Sequence, residues 1–372
     1  MKKMNDSRRG DHRRVFSFLI CIILFMGICF VTACDKGNIQ GNESGVGALQ
    51  GSTGADEAAD LTIEQSDAWI PDPADLEDFE FPVLIEKLTI HVPGMQGEKH
   101  LLYLSDLHLI TVSDQIADDQ LDTVKSREEW SSFEGVTAAE SWPMWVEYLN
   151  LYTPDAVLFG GDMIDFASRS NVEAFGKSLE NLAHPYLYVR ADHDLAPSYL
   201  EGVFESESIG YQREIAPYDD IMIMEFDEFF IAGWNNSTAQ MTAPGLEKMK
   251  SLVERAKNEG KAIILLTHVP IKPLGENLEA QSSSTAQAHL VQKSKEAWGD
   301  RVLLWGEGCM YQPNELTTEF LNLIYADDTP FVEILCGHLH FTWDGYVTEK
   351  VHQHIFNAAL GRNLGIVFVK GD

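Results

Sequence analysis

Five short apolar runs in this chain each stop at an aspartate or a histidine. LLYLS (101–105) is followed by Asp106 and His108, AVLFGG (156–161) by Asp162, and YLYVRA (186–191) by Asp192 and His193. AIILLT (262–267) runs into His268, and VEILCG (332–337) into His338 and His340. Runs this short, rich in β-branched and aromatic residues, read as buried strands. PMWVEYLNLY, NVEAFGKSLENLA and GLEKMKSLVERAKNEG lie between them with helical spacing, the last closed by Gly260. Further strands are expected over KLTIHV, over DIMIMEF and FFIAGW as a hairpin, and antiparallel in the tail that follows Thr342. Strand–helix alternation with such a tail predicts an α/β fold with mixed sheets. Ligands of open α/β sheets bind beyond the C-terminal strand ends, where these polar residues fall.

An Asp-x-His step puts both side chains on one face of an extended segment, because the strand period is two. Gly-His-x-His does the same with two imidazoles. One such pair is ordinary turn chemistry, but the whole series aims carboxylates and imidazoles at one place. Mixed nitrogen and oxygen donors suit Zn, Mn or Fe and hold too many nitrogens for a calcium cage. At Asp192-His193-Asp194 the residue types alone leave three roles open: metal ligand, proton donor or polar turn.

The blocks SDLH, GGD, ADHD, THVP and GHLH appear in that order, and in them the chain resembles the calcineurin-like metallophosphoesterases from about residue 99 to its end. The resemblance implies a four-layer α/β/β/α sandwich of two mixed β-sheets with two transition-metal ions (Mn, Zn or Fe) at one end. By position, Asp106, His108 and His340 would hold one ion and Asp192, His268 and His338 the other, with Asp162 bridging. It also implies hydrolysis of a phosphate ester, mono- or diester, by a metal-bridging hydroxide, with His193 assisting the leaving group and Asp165 orienting His193. Two cations would lower the pKa of a shared water and offset charge on phosphorus. Asp192 is then the ligand, His193 the acid and Asp194 a turn-stabilising residue.

The third block departs from the family pattern Gly-Asn-His-Asp/Glu, because Ala191 and Asp192 replace Gly and Asn. The extra charge of Asp192 tightens cation binding and weakens Lewis acidity, and the lost glycine implies no positive φ there. That departure motivates a rival reading, a non-hydrolytic metal- or ligand-binding surface protein on the same scaffold. The Arg-Gly step by which the superfamily's phosphoprotein phosphatases clamp phosphate is replaced by Phe166-Ala167, so a protein phosphatase is disfavoured. Arg169 and Arg190 are expected on the surface.

The chain opens with a basic leader, an apolar run (15–31) and Thr32-Ala33-Cys34. This resembles a bacterial lipoprotein signal peptide, residues 1–33, cleaved before a lipid-modified Cys34. Residues 34–78 are rich in Gly, Ser, Asp and Glu and read as a disordered acidic tether, with the metallophosphoesterase domain over 79–372. The domain is thereby expected outside the cytoplasm, lipid-anchored on the cell membrane. The chain's net charge is −31, and the leader carries six Lys or Arg against two Asp, which leaves −35 for the rest. A surface that acidic disfavours nucleic acid as a partner and favours a small phosphate ester as substrate.

Cys309 and Cys336 are the cysteines left beyond Cys34. One pair is no scaffold for a chain of this size, and whether they bond is left open. Trp142, Trp145 and Tyr148 read as core, His352 and His354 as a solvated strand face, and His184 and His289 as loop residues. The long segment between His108 and Asp162 reads equally well as a rim over the site or a plain insertion.

Overall fold

A computed structural model describes residues 69–71, 82–112, 120–196, 205–235, 239–274 and 281–372. The leader, Cys34 and most of the expected tether lie outside the described residues. The first sheet has the order β1 (Leu84–His91), β11 (Asn363–Lys370), β2 (Glu98–Leu104), β3 (Ala156–Phe159) and β4 (Tyr186–Tyr188). In it β2, β3 and β4 run parallel, while β11 is antiparallel to β2 and parallel to β1. The second sheet runs β5 (Ile221–Glu225), β6 (Phe229–Trp234), β7 (Ala262–Leu266), β8 (Phe331–Cys336), β10 (His352–Ile355) and β9 (Trp343–Tyr346). There β6, β7, β8 and β10 are parallel, and β5 and β9 close the edges antiparallel.

Alternation along each strand produces the layers. On β2, Leu101 and Tyr103 enter a core shared by both sheets, together with Leu158, Ile231, Ile264, Leu266 and Leu335. Their neighbours Leu102 and Leu104 face the opposite way, into a core with helices α2 (Ala138–Leu149) and α3 (Arg169–Leu179). Ile263 and Leu265 on β7 likewise face helices α6 (Ala243–Glu259), α7 (Gln281–Trp298) and α8 (Glu315–Tyr325). Period-two strands buried on both faces thus give the expected α/β/β/α order. Trp142, Trp145 and Tyr148 are core as expected; the Trp142 indole stacks on Phe175 at 4.7 Å and donates to its carbonyl at 2.8 Å. Gly260 ends α6 at φ 69°, a left-handed cap.

Several expectations need correction. Trp69, placed in the tether by its sequence surroundings, is buried and stacked on His100 at 4.5 Å, so packed structure begins before residue 79. Arg190 is fully buried, because the carbonyls of Tyr188, Ala216 and Pro217 and the Gln212 side chain take its donors. His289 is helical, within α7. His352 and His354 are not a solvated face: His354 is buried, and both are ion-paired to carboxylates. Cys309 and Cys336 are buried free thiols. Helices α1 (Leu121–Trp130), α5 (Glu205–Ile215), α7 and α8 had no expectation; the Ser, Thr and charged residues of α1 and α7 blur any apolar stripe.

Candidate metal centre

The parallel strands β2, β3 and β4 end side by side, and β7 and β8 end facing them. Beyond those ends the backbone turns sharply. Asp106, His108, Asp162, His338 and His340 have φ of 56°, 51°, 52°, 70° and 55°, left-handed values that non-glycine residues rarely adopt. Each costs on the order of 1 kcal/mol or more, so the strain is concentrated at one place. Two glycines make the close approach possible. A Cβ on Gly160 would run into the Tyr103 ring, and one on Gly337 into Asp106 and Ser105.

One group of donors comprises Asp106, His108 and His340. The Asp106 carboxylate lies 3.2 Å from His340 Nε2, and the two ring nitrogens His108 Nε2 and His340 Nε2 face each other at 3.4 Å. Ser105 Oγ donates to Asp106 at 2.6 Å, and the His338 N–H donates to it at 3.1 Å. A second group comprises Asp162, His268 and His338. His268 Nε2 is 2.9 Å from Asp162 Oδ2 and 3.2 Å from His338 Nδ1, while His268 Nδ1 donates to the Gly160 carbonyl at 2.9 Å. Asp162 stands between the groups, with Oδ2 3.8 Å from His108 Nε2.

Asp192 groups with Asp162 and His193. It opens a single turn of helix, α4 (Asp192–Leu195), and Ala191 before it has φ −113°, so no glycine is needed. Asp194 holds the loops together. Its carboxylate accepts the N–H groups of Ala191, Asp162, Met163 and Ile164 and the Tyr188 hydroxyl, at 2.6–3.1 Å.

Asp165 lies against His193 as expected, and it also meets His108 and Arg127. Its carboxylate accepts from His108 Nδ1 at 2.9 Å and from both Nε and a terminal nitrogen of Arg127, at 3.2 and 2.7 Å. The carboxylate is 3.6 Å from His193 Nδ1, whose nearer partner is the Asp165 backbone carbonyl at 2.8 Å. Asp165 therefore orients His108 through its side chain and His193 through its main chain.

Charge follows from these contacts. Burial disfavours the ionised form of Asp106, yet His268 and His340 hold its carboxyl well below the usual range. Asp162, also buried, is likewise held well below the usual range by His268, His193 and His108. Burial opposes a charged His268, but Asp162 and Asp106 push its pKa up to about 10. His338 goes the other way, down to about 3, because burial and the neighbouring His268 both disfavour its charge. Burial and Asp162 raise Asp192, and the Asp162, Asp192 and Asp165 carboxylates overcome burial to bring His193 up to about 9.

The donor set fits two cations. Imidazole nitrogens 3.2 and 3.4 Å apart can share a proton or turn both lone pairs to a cation. Asp162 Oδ1 and Asp192 Oδ1 are buried without a hydrogen-bond partner among the described residues, which leaves lone pairs for a cation to take. All seven expected ligands are brought to one end of the sandwich, a convergence set by strand order rather than spacing.

Sequence reading missed the residues around the donors. Arg127 and Trp130 come from α1, in the segment left undecided between rim and insertion; Trp130 lies 5.2 Å from the His108 ring. Trp298 from α7 lies 5.5 Å from the His340 ring, and Tyr311 Oη is 3.2 Å from His338 Nε2. Nothing local in the sequence signals them, except that Arg127 and Trp130 are spaced to share a helix face.

A family model described as calcineurin-like phosphoesterase matches residues 99–342. Among solved structures, a dimetal phosphatase from Danio rerio aligns with 9% identity and a TM-score of 0.40, covering 71% of this chain and 88% of its own. A purple acid phosphatase from yellow lupin seeds aligns with 12% identity and a TM-score of 0.42, covering 73% of this chain and 45% of its own. A comparison with curated proteins gives no match.

Proposed function

The chain belongs to the calcineurin-like phosphoesterase family of metal-dependent phosphoester hydrolases, and from that premise we propose that it cleaves a small phosphate ester outside the cytoplasm, held to the membrane by a lipid on Cys34. The facing donor groups joined by Asp162 carry the catalytic reading. Asp106, His108 and His340 would hold one ion, Asp192, His268 and His338 the other, and Asp162 both. Such a pair would activate water and offset the charge that builds on phosphorus.

The protein's own residues do the rest. Ser105 and the His338 N–H fix the Asp106 carboxylate, and Asp165 fixes the His108 ring, so both are set before substrate arrives. The Gly160 carbonyl sets His268 with Nε2 toward Asp162. His193 Nδ1 is committed to the Asp165 carbonyl, so the proton that passes to the leaving oxygen is the one on Nε2. Asp192 remains a ligand in this reading, and its partnerless Oδ1 supports that over a silent substitution. The net charge of −31 supports a small substrate over a long polyanion. The leader sequence supports the lipid anchor.

A purified protein supplied in turn with Mn²⁺, Zn²⁺ or Fe²⁺ and offered phosphate mono- and diesters tests this directly. Turnover lost on chelation and in Asp162→Asn is expected. Two bound ions per chain with no turnover of any ester would instead favour the non-hydrolytic reading. Mass spectrometry of the membrane fraction for a diacylated Cys34 tests the anchor.

A further inference from the structure

The indole of Trp130 is out of place for a side chain of its kind. Trp69, Trp142, Trp145, Trp234, Trp305 and Trp343 are all at most 5% exposed, whereas Trp130 is 42% exposed. Its neighbours explain the position. One turn earlier on α1, the Arg127 guanidinium sits 4.1 Å from the centre of the Trp130 ring, and a forked pair of hydrogen bonds to buried Asp165 pins that guanidinium. The indole is thereby held at 5.2 Å from His108 and 5.8 Å from His340. Trp298 flanks His340 from another side, its Nε1 donating to the Leu339 carbonyl at 3.2 Å.

Exposure also locates the opening of the site. The side chains of Asp106, Asp162, His108 and His268 are at most 3% exposed, but those of His340 and His193 are 16% and 26% exposed. His338 and Asp192 are partly buried as well, so the open rim of the site runs along these four residues, and at His340 it borders Trp130. Beside His340 the rim meets the indole, which the Arg127 guanidinium backs at 4.1 Å and which remains 42% exposed.

We propose that Trp130 is a specificity-determining residue, a platform that stacks against a planar ring carried by the leaving group of the ester. The inference rests on phosphoester hydrolysis at this centre. Aryl phosphates and nucleotides share the required chemistry; they differ in whether a sugar separates the ring from phosphorus. Ring stacking on an aromatic side chain is worth about 5- to 150-fold in affinity.

The metal-loaded protein and its Trp130→Ala and Trp130→Phe variants are compared on phenyl phosphate, a nucleoside 5′-monophosphate and glycerol 2-phosphate. In Trp130→Ala the preference in kcat/KM for a ring-bearing ester over glycerol 2-phosphate should fall about tenfold, mainly through KM, and Trp130→Phe should restore most of it. A fall for the nucleotide alone places the ring beyond a sugar, and a fall for phenyl phosphate places it next to phosphorus. A preference unchanged for both ring-bearing esters in Trp130→Ala overturns the platform. Should the unsubstituted protein cleave no ester, the hydrolytic reading fails, and the platform is judged by equilibrium binding of phenylphosphonate against methylphosphonate. A preference for phenylphosphonate that disappears in Trp130→Ala supports the platform, and equal binding of the two by the unsubstituted protein overturns it.

Discussion

Two clusters of histidines and carboxylates meet the second sheet, and they solve the same electrostatic problem in opposite ways. At the candidate metal centre, imidazole nitrogens face each other at 3.2 and 3.4 Å, and two buried carboxylate oxygens lack partners among the described residues. In the chain Glu333–His352–Asp344–His354–Glu86, every ring nitrogen has its own carboxylate oxygen, at 2.8–3.1 Å. The backbone differs too: His352 and His354 lie in a regular strand, whereas five metal-centre residues have left-handed φ. The paired cluster is complete within the protein, and Glu86 on β1 makes it a link from the first sheet to the second. The other leaves Asp162 Oδ1 and Asp192 Oδ1 without partners among the described residues, which fits cations. Identical residue types therefore carry no function until pairing is known.

The comparison breaks first at Asp162. Asp162→Asn should cut kcat/KM by about a thousandfold or more and lower the metal content found by elemental analysis, because in the proposed reading both ions would lose a charged ligand. Asp344→Asn should leave the metal content alone. If it strips metal, the second cluster is not structural.

His193→Asn should lower kcat by about 10²- to 10³-fold for esters with poor leaving groups and less for aryl esters, at unchanged metal content. Equal losses across leaving groups would remove the proton-donor role.

The paired cluster should announce itself in stability. Burial opposes a charged His352, but Asp344 and Glu333 push its pKa from 6.5 up to about 10, and the imidazolium ions hold Asp344 below the usual carboxylate range. A raised histidine pKa gives stability that is complete below about 6.5 and lost as pH rises through about 10. A depressed carboxylate gives stability present above about 4 and lost on acidification. The cluster should therefore stabilise most between about pH 4 and 6.5. Burial raises the Glu333 carboxyl, which works against the gain. Because the Asp344 side chain is 57% exposed and solvent screens it, Asp344→Asn should cost only about 1 kcal/mol near pH 6 and progressively less toward pH 10, read by urea unfolding. A cost independent of pH would refute the ionic account.

The smallest effect is expected at Asp192. Asp192→Asn removes one negative charge but leaves an oxygen in place. Metal affinity should fall about tenfold in competition with a chelator, with kcat altered by only a few-fold. Unchanged affinity would show that the charge is idle.

Much of the site was legible because strand ends advertise themselves: a short apolar run that stops at Asp or His is a local pattern, and the structure brings all five together. Asp165 was expected from the resemblance to orient His193; it does so chiefly through its carbonyl, and its carboxylate, 3.6 Å from that ring, binds His108 more closely. Arg190 was misread because charge suggests solvent, yet three carbonyls and the Gln212 side chain compensate its burial. His352 and His354 were misread because their partners come from three other strands, β1, β8 and β9, and only the fold sets those beside β10.

The sequence by itself determined the alternating strands, the order of the five blocks and the donor types, since side-chain period and ligand chemistry are local properties. Tertiary structure decided which nitrogens face one another, which carboxylates stay unpaired and that a helix between the first two blocks lays Trp130 beside the ligands. Pairing and exposure depend on residues far apart in the chain, and no local pattern encodes a distance across a fold.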